Sequence, residues 1–315
     1  MTPNRLIARL ASTVLDPTIV WSYGRAGFWL HRQLFDPDDL HVDLTGRRYL
    51  ITGASSGLGL ATAHGLAARG AEVWMLCRSL ARGRAAQQRI PHPTHLGHID
   101  LSDFDSIRSF CEDFLPERID GLINNAGVLA DEHAITAEGF ERSLATNLIG
   151  PHLLTRLLLP RLQQSDDGRL VFVSSGGMYT QRLRVDQLQM PAKGFDGVVA
   201  YARSKRAQVV VAEQLADELA QTNITVSCMH PGWADTPGVQ RSLPTFRRLT
   251  RPILRNAQQG ADTIVWLAAA QPPRGQSGRF WFDRETCTTH ALPNTAESPQ
   301  ERERLRVTLE NWITR

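Results

Sequence analysis

Two residues of one segment, Tyr201 and Lys205, have types and spacing that suit acid–base chemistry. They lie four positions apart, so on a helix both side chains project from the same face. A phenol has a pKa near about 10 and exchanges protons poorly at neutral pH. A neighbouring ammonium stabilises the phenolate and lowers that pKa, which makes the phenol a better general acid and base. The same spacing also occurs by chance, and an exposed surface pair is the alternative.

The composition singles out the same lysine. Of the 35 Lys and Arg residues in the chain, only Lys193 and Lys205 are lysine. An ammonium is a compact point charge, whereas a guanidinium is planar and larger, so the two cations are not interchangeable at a close contact. A lysine retained in a chain that otherwise uses arginine is therefore expected where the ammonium itself is needed.

A glycine-rich turn, TGASSGLG at residues 52–59, directly follows a short apolar run. Glycines at this spacing let the backbone approach a pyrophosphate, which binds the free N–H groups at a helix N-terminus. The turn also fits the G-x-S-x-G pattern of a hydrolase nucleophile, but a single strand precedes Ser55 and Gly59 has no role in such an elbow. A dinucleotide is therefore expected to bind here, at Gly53, Ser55, Ser56, Gly57, Leu58 and Gly59.

The end of the second predicted strand bears on which dinucleotide binds. Enzymes that prefer NAD place an acidic residue there, which binds the ribose hydroxyls. This chain has Cys77 and Arg78 instead. Because a guanidinium binds a 2′-phosphate through two hydrogen bonds, Arg78 favours NADP(H). The alternative for Arg78 is an exposed cation at a strand end.

The elements that position these residues alternate along the chain from residue 46. Short apolar, β-branched runs separated by helical patterns indicate βαβ units and a parallel sheet covered on both faces. The predicted fold is α/β, a doubly wound Rossmann-type sheet of about seven strands with helices on both faces. Strands are predicted at 47–52, 71–76, 94–99, 119–124, 169–174, 223–229 and 278–282. Helices are predicted at 59–70, 79–90, 103–114, 200–221 and 258–270. A longer helix is predicted at 137–149, and it resumes across Pro151 to residue 163.

Further polar motifs follow the predicted strands, and the ligand crevice of such a sheet lies at the carboxyl ends of its strands. NNAG ends at Gly127, Asn147 lies in the next helix, and Ser174 and Ser175 end the fifth strand. Together with TGASSGLG, YARSK and HPGWADT, this ordered set resembles the short-chain dehydrogenase/reductase superfamily over residues 46–285. SSGGM and MHPGWADTPGV resemble the family member 12 subgroup, and the longer segment between Ser175 and Tyr201 resembles retinol-dehydrogenase-like members.

The resemblance implies catalytic roles for four residues. Tyr201 would be the general acid and base, and Lys205 would bind the nicotinamide ribose and lower the pKa of Tyr201. Ser175, rather than Ser174, would hydrogen-bond the substrate carbonyl, and Asn147 would hold a water in a proton relay. The remaining cofactor contacts it implies are Asp100, Leu101, Asn125, Ala126, Gly127, Pro231, Gly232 and Thr236.

The expected activity is hydride transfer between NADP(H) and a carbonyl or alcohol substrate of hydrophobic character. A non-catalytic NADP-binding sensor or scaffold on the same fold is the alternative. Such a sensor has no need for Ser175, Tyr201 and Lys205 together. One departure from many members is the separation of Ser175 from Tyr201, which is 26 positions here.

The organisation predicted for the 315 residues is an N-terminal helical extension at 1–45, a catalytic domain at 46–290 and a helical tail at 291–315. With 42% hydrophobic and 21% charged residues, the composition is that of a globular protein and excludes intrinsic disorder. Four widely spaced cysteines predict reduced thiols, neither a disulfide framework nor a metal site.

Both termini carry features with more than one interpretation. Residues 1–35 mix aromatic side chains and arginines, which predicts either helices packed on the domain or an interfacial helix on an anionic membrane. Near the C-terminus, Ser298 and Glu301 predict a capping box. The stripe of Leu305, Leu309 and Trp312 predicts a docking face.

The sequence also bears on partners and location. No run of about 18 apolar residues occurs, so the expectation is a cytoplasmic protein, membrane-associated if the N-terminal segment binds lipid. A homo-oligomer is compatible with the sequence, and nucleic acid is not expected because no binding module accompanies the charge. A basic segment predicts a solvated face, with an anionic substrate group or a membrane as alternatives. Its arginines are Arg241, Arg247, Arg248, Arg251 and Arg255.

Overall fold

A mostly parallel sheet, in the order β3-β2-β1-β4-β5-β6-β7-β8, forms the centre of the computed structural model of this chain. The structure describes residue 9 and residues 22–236, 238, 240, 244–291 and 295–314, and the strand order refers to these. Strands β1 to β7 pair in parallel, and β8 pairs antiparallel with β7. The strands are β1 (Arg48–Thr52), β2 (Glu72–Cys77), β3 (Thr94–His98), β4 (Gly121–Asn124), β5 (Gly168–Val173), β6 (Ile224–Met229), β7 (Arg279–Phe282) and β8 (Glu285–Thr286).

Helices connect the strands and cover both faces of the sheet, which confirms the predicted doubly wound fold. Strand side chains alternate between two hydrophobic clusters: Leu50 and Leu76 join one, and Ile51 and Met75 join the other. The helices are α1 (Arg25–Arg32), α2 (Gly57–Ala67), α3 (Leu80–Gln87), α4 (Phe104–Asp113), α5 (Arg142–Leu144), α6 (Gly150–Leu162), α7 (Gly197–Glu218), α8 (Pro244–Thr250), α9 (Ala257–Ala269) and α10 (Pro299–Ile313). None in the described part of the chain is long and apolar enough to cross a membrane.

The helix predicted to begin at residue 137 begins later, at Arg142. Gly139 has a φ of +84°, and Gly139 and Phe140 instead close a turn with Thr136. The Glu141 carboxylate then accepts hydrogen bonds from the main-chain N–H groups of the first helical turn at 2.8 and 3.0 Å. A glycine in the left-handed region followed by an acidic cap therefore overrides the helical pattern. Residues Ala145–Ile149 form a π-helical turn that continues into α6.

The C-terminal helix α10 packs across the face of the sheet that carries α4, α6 and α7. Leu305 and Leu309 are buried in that hydrophobic cluster, with Trp312 partly buried beside it. Ser298 caps the helix by accepting from the Glu301 N–H at 3.2 Å. The predicted capping box also requires the Glu301 side chain to accept from the Ser298 N–H. That part of the prediction is wrong, because the Glu301 carboxylate instead accepts from the Val185 N–H at 2.6 Å.

A buried ion pair attaches residues 22–35 to the domain. The Arg255 side chain is about 1% exposed, and its guanidinium hydrogen-bonds both carboxylate oxygens of Asp283 at 2.5 and 2.7 Å. It also donates to the main-chain oxygens of Ser22 and Gly24 at 2.9 and 3.1 Å. His31 Nδ1 lies 2.6 Å from the same carboxylate. The described end of the N-terminal extension therefore packs on the domain. Residues 1–8 and 10–21, on which the membrane hypothesis mainly rests, lie outside the described residues.

The predicted solvated basic face is wrong for Arg255, which the Asp283 carboxylate holds in the interior. Arg247 pairs with Asp235, with Nε 2.8 Å from Oδ1. Arg248 and Arg251 are exposed as expected. Arg241 lies outside the described residues. The sequence around Arg255 does not indicate that its acidic partner, Asp283, lies 28 positions further along the chain.

We expect Asp283→Asn to lower the free energy of unfolding by about 3–5 kcal/mol, because it leaves the buried Arg255 guanidinium uncompensated. Asp283 has a φ of +48°, a conformation that asparagine tolerates, so the substitution isolates the loss of charge. Glu303→Gln, which breaks the exposed pair with Arg306 on α10, is the control and should leave the urea midpoint nearly unchanged. Equal urea midpoints for the two variants would contradict this account.

Candidate active site

The carboxyl ends of β1 and β4 meet where the strand order reverses, and the predicted dinucleotide turn lies there. Asn125 and Ala126 donate their N–H groups to Thr52 Oγ1 at 3.0 Å, and the Asn125 amide donates to the Thr52 carbonyl at 2.8 Å. A Cβ on Gly53 would come within 3.0 Å of the Ala126 Cα. The structure therefore brings the glycine-rich turn and the NNAG segment into direct contact. Thr52 organises this junction, a role that its place at a strand end did not reveal.

The glycine-rich turn has the features needed to hold a pyrophosphate. Gly53 and Gly57 adopt φ of +68° and +55°, and a Cβ on Gly59 would lie 2.6 Å from the Gly53 carbonyl oxygen. Ser56, at the N-cap of α2, makes no side-chain hydrogen bond to the first turn, whereas Ser79 and Asp103 cap the helices after β2 and β3. The N–H groups at the start of α2 are therefore left for an anionic ligand.

Residues after β2 and β3 border the same edge of the sheet. The Arg78 side chain is 61% exposed, with Nε 3.9 Å from Asp100 Oδ2. Cys77 is buried, and burial raises the pKa of its thiol. Asp100 accepts from the Ser102 N–H and hydroxyl at 2.9 and 2.7 Å.

Leu101, which the resemblance placed at the adenine, has its side chain in the hydrophobic cluster of α4 and α6. Only its main chain lies near this edge of the sheet. Its carbonyl lies so close to Gly150 that a Cβ there would come within 2.0 Å of the oxygen.

The predicted catalytic residues Ser175, Tyr201 and Lys205 meet between the carboxyl end of β5 and the first turns of α7. Asp196 caps α7 by accepting from the N–H groups of Val198 and Val199 at 2.9 and 3.1 Å. Tyr201 lies in the first turns of the helix, and its phenol is close enough to the Ser175 hydroxyl for that group to affect the phenol pKa. Ser174 instead donates its hydroxyl to the Lys205 carbonyl at 2.9 Å. Ser175 therefore faces Tyr201, whereas Ser174 holds α7 against the end of β5.

Lys205 is buried one turn beyond Tyr201. Its Nζ donates to the Val173 carbonyl at 2.8 Å and to Gln208 Oε1 at 3.1 Å, and it lies 5.6 Å from the Tyr201 ring centroid. Burial lowers the pKa of Lys205 to about 8. A Cβ on Gly127 would come within 3.3 Å of Nζ, so the NNAG segment passes close to the ammonium.

The predicted lowering of the Tyr201 pKa by Lys205 is wrong for this structure. Burial raises the pKa of Tyr201 above its ordinary value, and the hydrogen bond with Ser175 only opposes that rise. The sequence motif indicates which groups are neighbours, but not how far the surrounding protein removes them from water. The phenol therefore keeps its proton at neutral pH.

Asn147 lies in the π-helical turn and is fully buried. Its Oδ1 accepts from the Val128 N–H at 2.7 Å, and its Nδ2 donates to the Val128 carbonyl at 2.9 Å and to Ser204 Oγ at 3.1 Å. Ser204 in turn donates to the Tyr201 carbonyl at 2.7 Å. The side chain of Asn147 thus uses both of its donors within the protein. Ser204, the fourth residue of YARSK, is a further residue of the site whose role the motif did not indicate.

The loop after β6 closes the site on its other side. Gly232 has a φ of +69°, and a Cβ on it would lie 2.7 Å from the Tyr23 carbonyl and 2.8 Å from the Arg255 guanidinium. Leu58 and the Pro231 carbonyl both approach the same glycine of α9, Gly260. The glycine-rich turn and this loop are therefore neighbours. Thr236 follows Asp235 at the end of the continuous segment that the structure describes.

A dinucleotide-type turn beside a buried lysine and a partly buried tyrosine and serine is the geometry of a nicotinamide-dependent oxidoreductase. The model of the short chain dehydrogenase family matches residues 47–245. The chain therefore belongs to this family of oxidoreductases, and the resemblance inferred from the motifs is confirmed.

Two members of the family are similar in sequence to most of this chain. It is 41% identical over 301 residues to dehydrogenase/reductase SDR family member 12 from Bos taurus, covering 93% of this chain and 94% of that protein. Retinol dehydrogenase 12 from Bos taurus is 39% identical over 77% of this chain and 79% of its own length.

Solved structures of other proteins have the same fold as this chain. An uncharacterised protein from Mycobacterium paratuberculosis superposes with a TM-score of 0.70 at 29% identity, covering 87% of this chain and 95% of that chain. A short chain dehydrogenase from Shigella flexneri, complexed with NADP, gives a TM-score of 0.61 at 26% identity over 79% of this chain and 100% of that chain.

Proposed function

We propose that this protein transfers hydride between NADP(H) and a carbonyl or alcohol substrate. The observation that carries the proposal is the proximity of the Ser175 and Tyr201 side chains, one helical turn from the buried ammonium of Lys205. Two hydroxyl groups next to each other can both donate to one substrate oxygen, which is what reduction of a carbonyl requires.

Each catalytic residue has a defined part in this scheme. Tyr201 Oη–H donates the proton to the substrate oxygen, and its raised pKa keeps that proton in place at neutral pH. Ser175 Oγ–H donates a hydrogen bond to the same oxygen as charge develops on it. Lys205, charged below its pKa of about 8, would bind the nicotinamide ribose beside Tyr201. When bound, the nicotinamide supplies the hydride.

The main chain around Tyr201 is held by a short hydrogen-bonded series from Asn147 through Ser204 to the Tyr201 carbonyl. Both N–H donors of the Asn147 side chain are used by acceptors within the protein. We therefore assign the predicted contact between Asn147 and a relay water to the main-chain carbonyl of this residue. The side chain then acts by fixing the π-helical turn against Val128.

The residues that would hold the cofactor lie along one edge of the sheet. The turn from Gly53 to Gly59 and the start of α2 would bind the pyrophosphate, and the segment from Asn125 to Gly127 would border the ribose near Lys205. The loop at Pro231 and Gly232 would flank the nicotinamide. The exposed guanidinium of Arg78 would bind the 2′-phosphate. The Shigella flexneri relative complexed with NADP supports the choice of a phosphorylated cofactor.

The direct test is loss of NADPH absorbance with a panel of aldehydes and ketones. Turnover with at least one carbonyl is expected, and reverse turnover with the matching alcohol and NADP⁺. An enzyme that binds NADPH but reduces none of them would fit the alternative of a sensor or scaffold.

Lys205→Arg should lower kcat/KM by at least about 100-fold, the scale of lost general acid–base catalysis. The larger, planar guanidinium cannot take the place of an ammonium that is 2% exposed between Val173 and Gln208. Lys205→Met, which keeps the length and removes the charge, shows the effect without overpacking. Exposed Lys193→Arg is the control and should be near wild type. Wild-type turnover by all three folded variants would remove Lys205 from the catalytic group.

Arg78→Ala should weaken NADPH binding by about 10-fold or more, the loss of one charge-assisted contact, and leave NADH binding unchanged. Arg89→Ala, at an exposed arginine two positions after the end of α3, is the matched control for net charge. Dissociation constants measured from cofactor fluorescence decide the question. If wild type binds NADH as tightly as NADPH, the assignment of Arg78 is wrong.

A further inference from the structure

Three consecutive N-terminal residues, Ser22 to Gly24, lie against the loop after β6. The Tyr23 carbonyl accepts from the Trp233 N–H at 2.9 Å. The carbonyls on either side of it accept from the buried Arg255 guanidinium. The backbone of this segment is therefore fixed at three successive carbonyls, although it precedes the first strand of the sheet by more than twenty residues.

The Tyr23 ring extends from this segment to the turn that carries Ser175. A Cβ on Gly176 would lie 2.7 Å from the ring edge, so the ring packs directly on the main chain of that glycine. On its other side the ring contacts His230 and Phe282, with centroid separations of 4.6 and 5.1 Å. One side chain thus bridges the turn after β5 and the loop after β6.

The turn that Tyr23 contacts determines where the Ser175 hydroxyl lies. Ser175 is the N-cap of the short helical turn Gly176–Thr180, and its Oγ accepts from the Gly177 N–H at 3.1 Å. The same hydroxyl group neighbours the Tyr201 phenol. A displacement of Gly176 would therefore move Ser175 relative to Tyr201.

We propose that Tyr23 is a positioning residue of the active site, holding the Ser175 turn and the Pro231–Gly232 loop at their working separation. The role rests on the proposed function, because it acts through the residues assigned there to the substrate and the nicotinamide. The N-terminal extension then supports the catalytic site through Tyr23 without contacting the reacting groups.

Tyr23→Ala tests this role against simple loss of packing. The ring and the main-chain carbonyl make the contacts, so Tyr23→Phe should restore them and behave like wild type. Phe110→Ala removes a buried ring from α4, where it packs on Phe114, and serves as a control for destabilisation. Each variant is compared by melting temperature, NADPH dissociation constant and kcat at saturating NADPH.

We expect Tyr23→Ala to lower kcat by about 10- to 100-fold, the scale on which a misplacement of about 1 Å slows a reaction. NADPH binding should weaken several-fold in the same variant. Phe110→Ala should lower the melting temperature with kcat and NADPH binding close to wild type. Unchanged kcat and NADPH binding in Tyr23→Ala would overturn the proposal, as would a Tyr23→Phe variant as impaired as Tyr23→Ala.

Failure of the proposed function gives a different result. In that case wild type reduces no carbonyl, and the NADPH dissociation constants of Tyr23→Ala and Phe110→Ala still decide the role of Tyr23. Weaker binding in Tyr23→Ala alone would support it, and equal binding in both variants would overturn it.

Discussion

Two hydrogen bonds fasten α7 to the end of β5, and the whole active site depends on them. Lys205 Nζ donates to the Val173 carbonyl at 2.8 Å, and Ser174 Oγ donates to the Lys205 carbonyl at 2.9 Å. Together they fix both the rotation of the helix and its position along the strand. A buried ammonium without such partners would be strongly destabilising, so these contacts are also a condition of folding. Tyr201, one turn earlier, then meets Ser175.

The surrounding segments hold this arrangement from several directions. Asn147 and Ser204 secure the main chain at Tyr201, and residues of the N-terminal extension reach the Ser175 turn through Gly176. The long segment between Ser175 and Tyr201 does not separate them, because it folds over the domain with Val185 and Leu188 buried. The site is therefore built from distant parts of the chain that share one edge of the sheet.

The repeating elements and the site motifs could be predicted because both are local: a strand and its terminal loop are continuous in sequence. Strand and helix bounds agree to within about three residues except at Arg142, where Gly139 turns the chain. Long-range effects could not be predicted. The burial of Arg255 depends on Asp283, and the raised pKa of Tyr201 depends on how the folded protein excludes water. The roles assigned to Ser175, Asn147, Tyr201 and Lys205 and the cofactor contacts stay predictions.

The most direct test of the account is the carbonyl reductase activity of Tyr201→Phe, measured beside its NADPH dissociation constant. Tyr179→Phe is the matched control, because that tyrosine lies in the turn after Ser175 and donates to the Thr288 carbonyl at 2.6 Å. The account predicts near wild-type NADPH binding for both variants and a loss of about 10²- to 10⁴-fold in kcat/KM for Tyr201→Phe alone. Carbonyl reduction by Tyr201→Phe at the wild-type rate would contradict it.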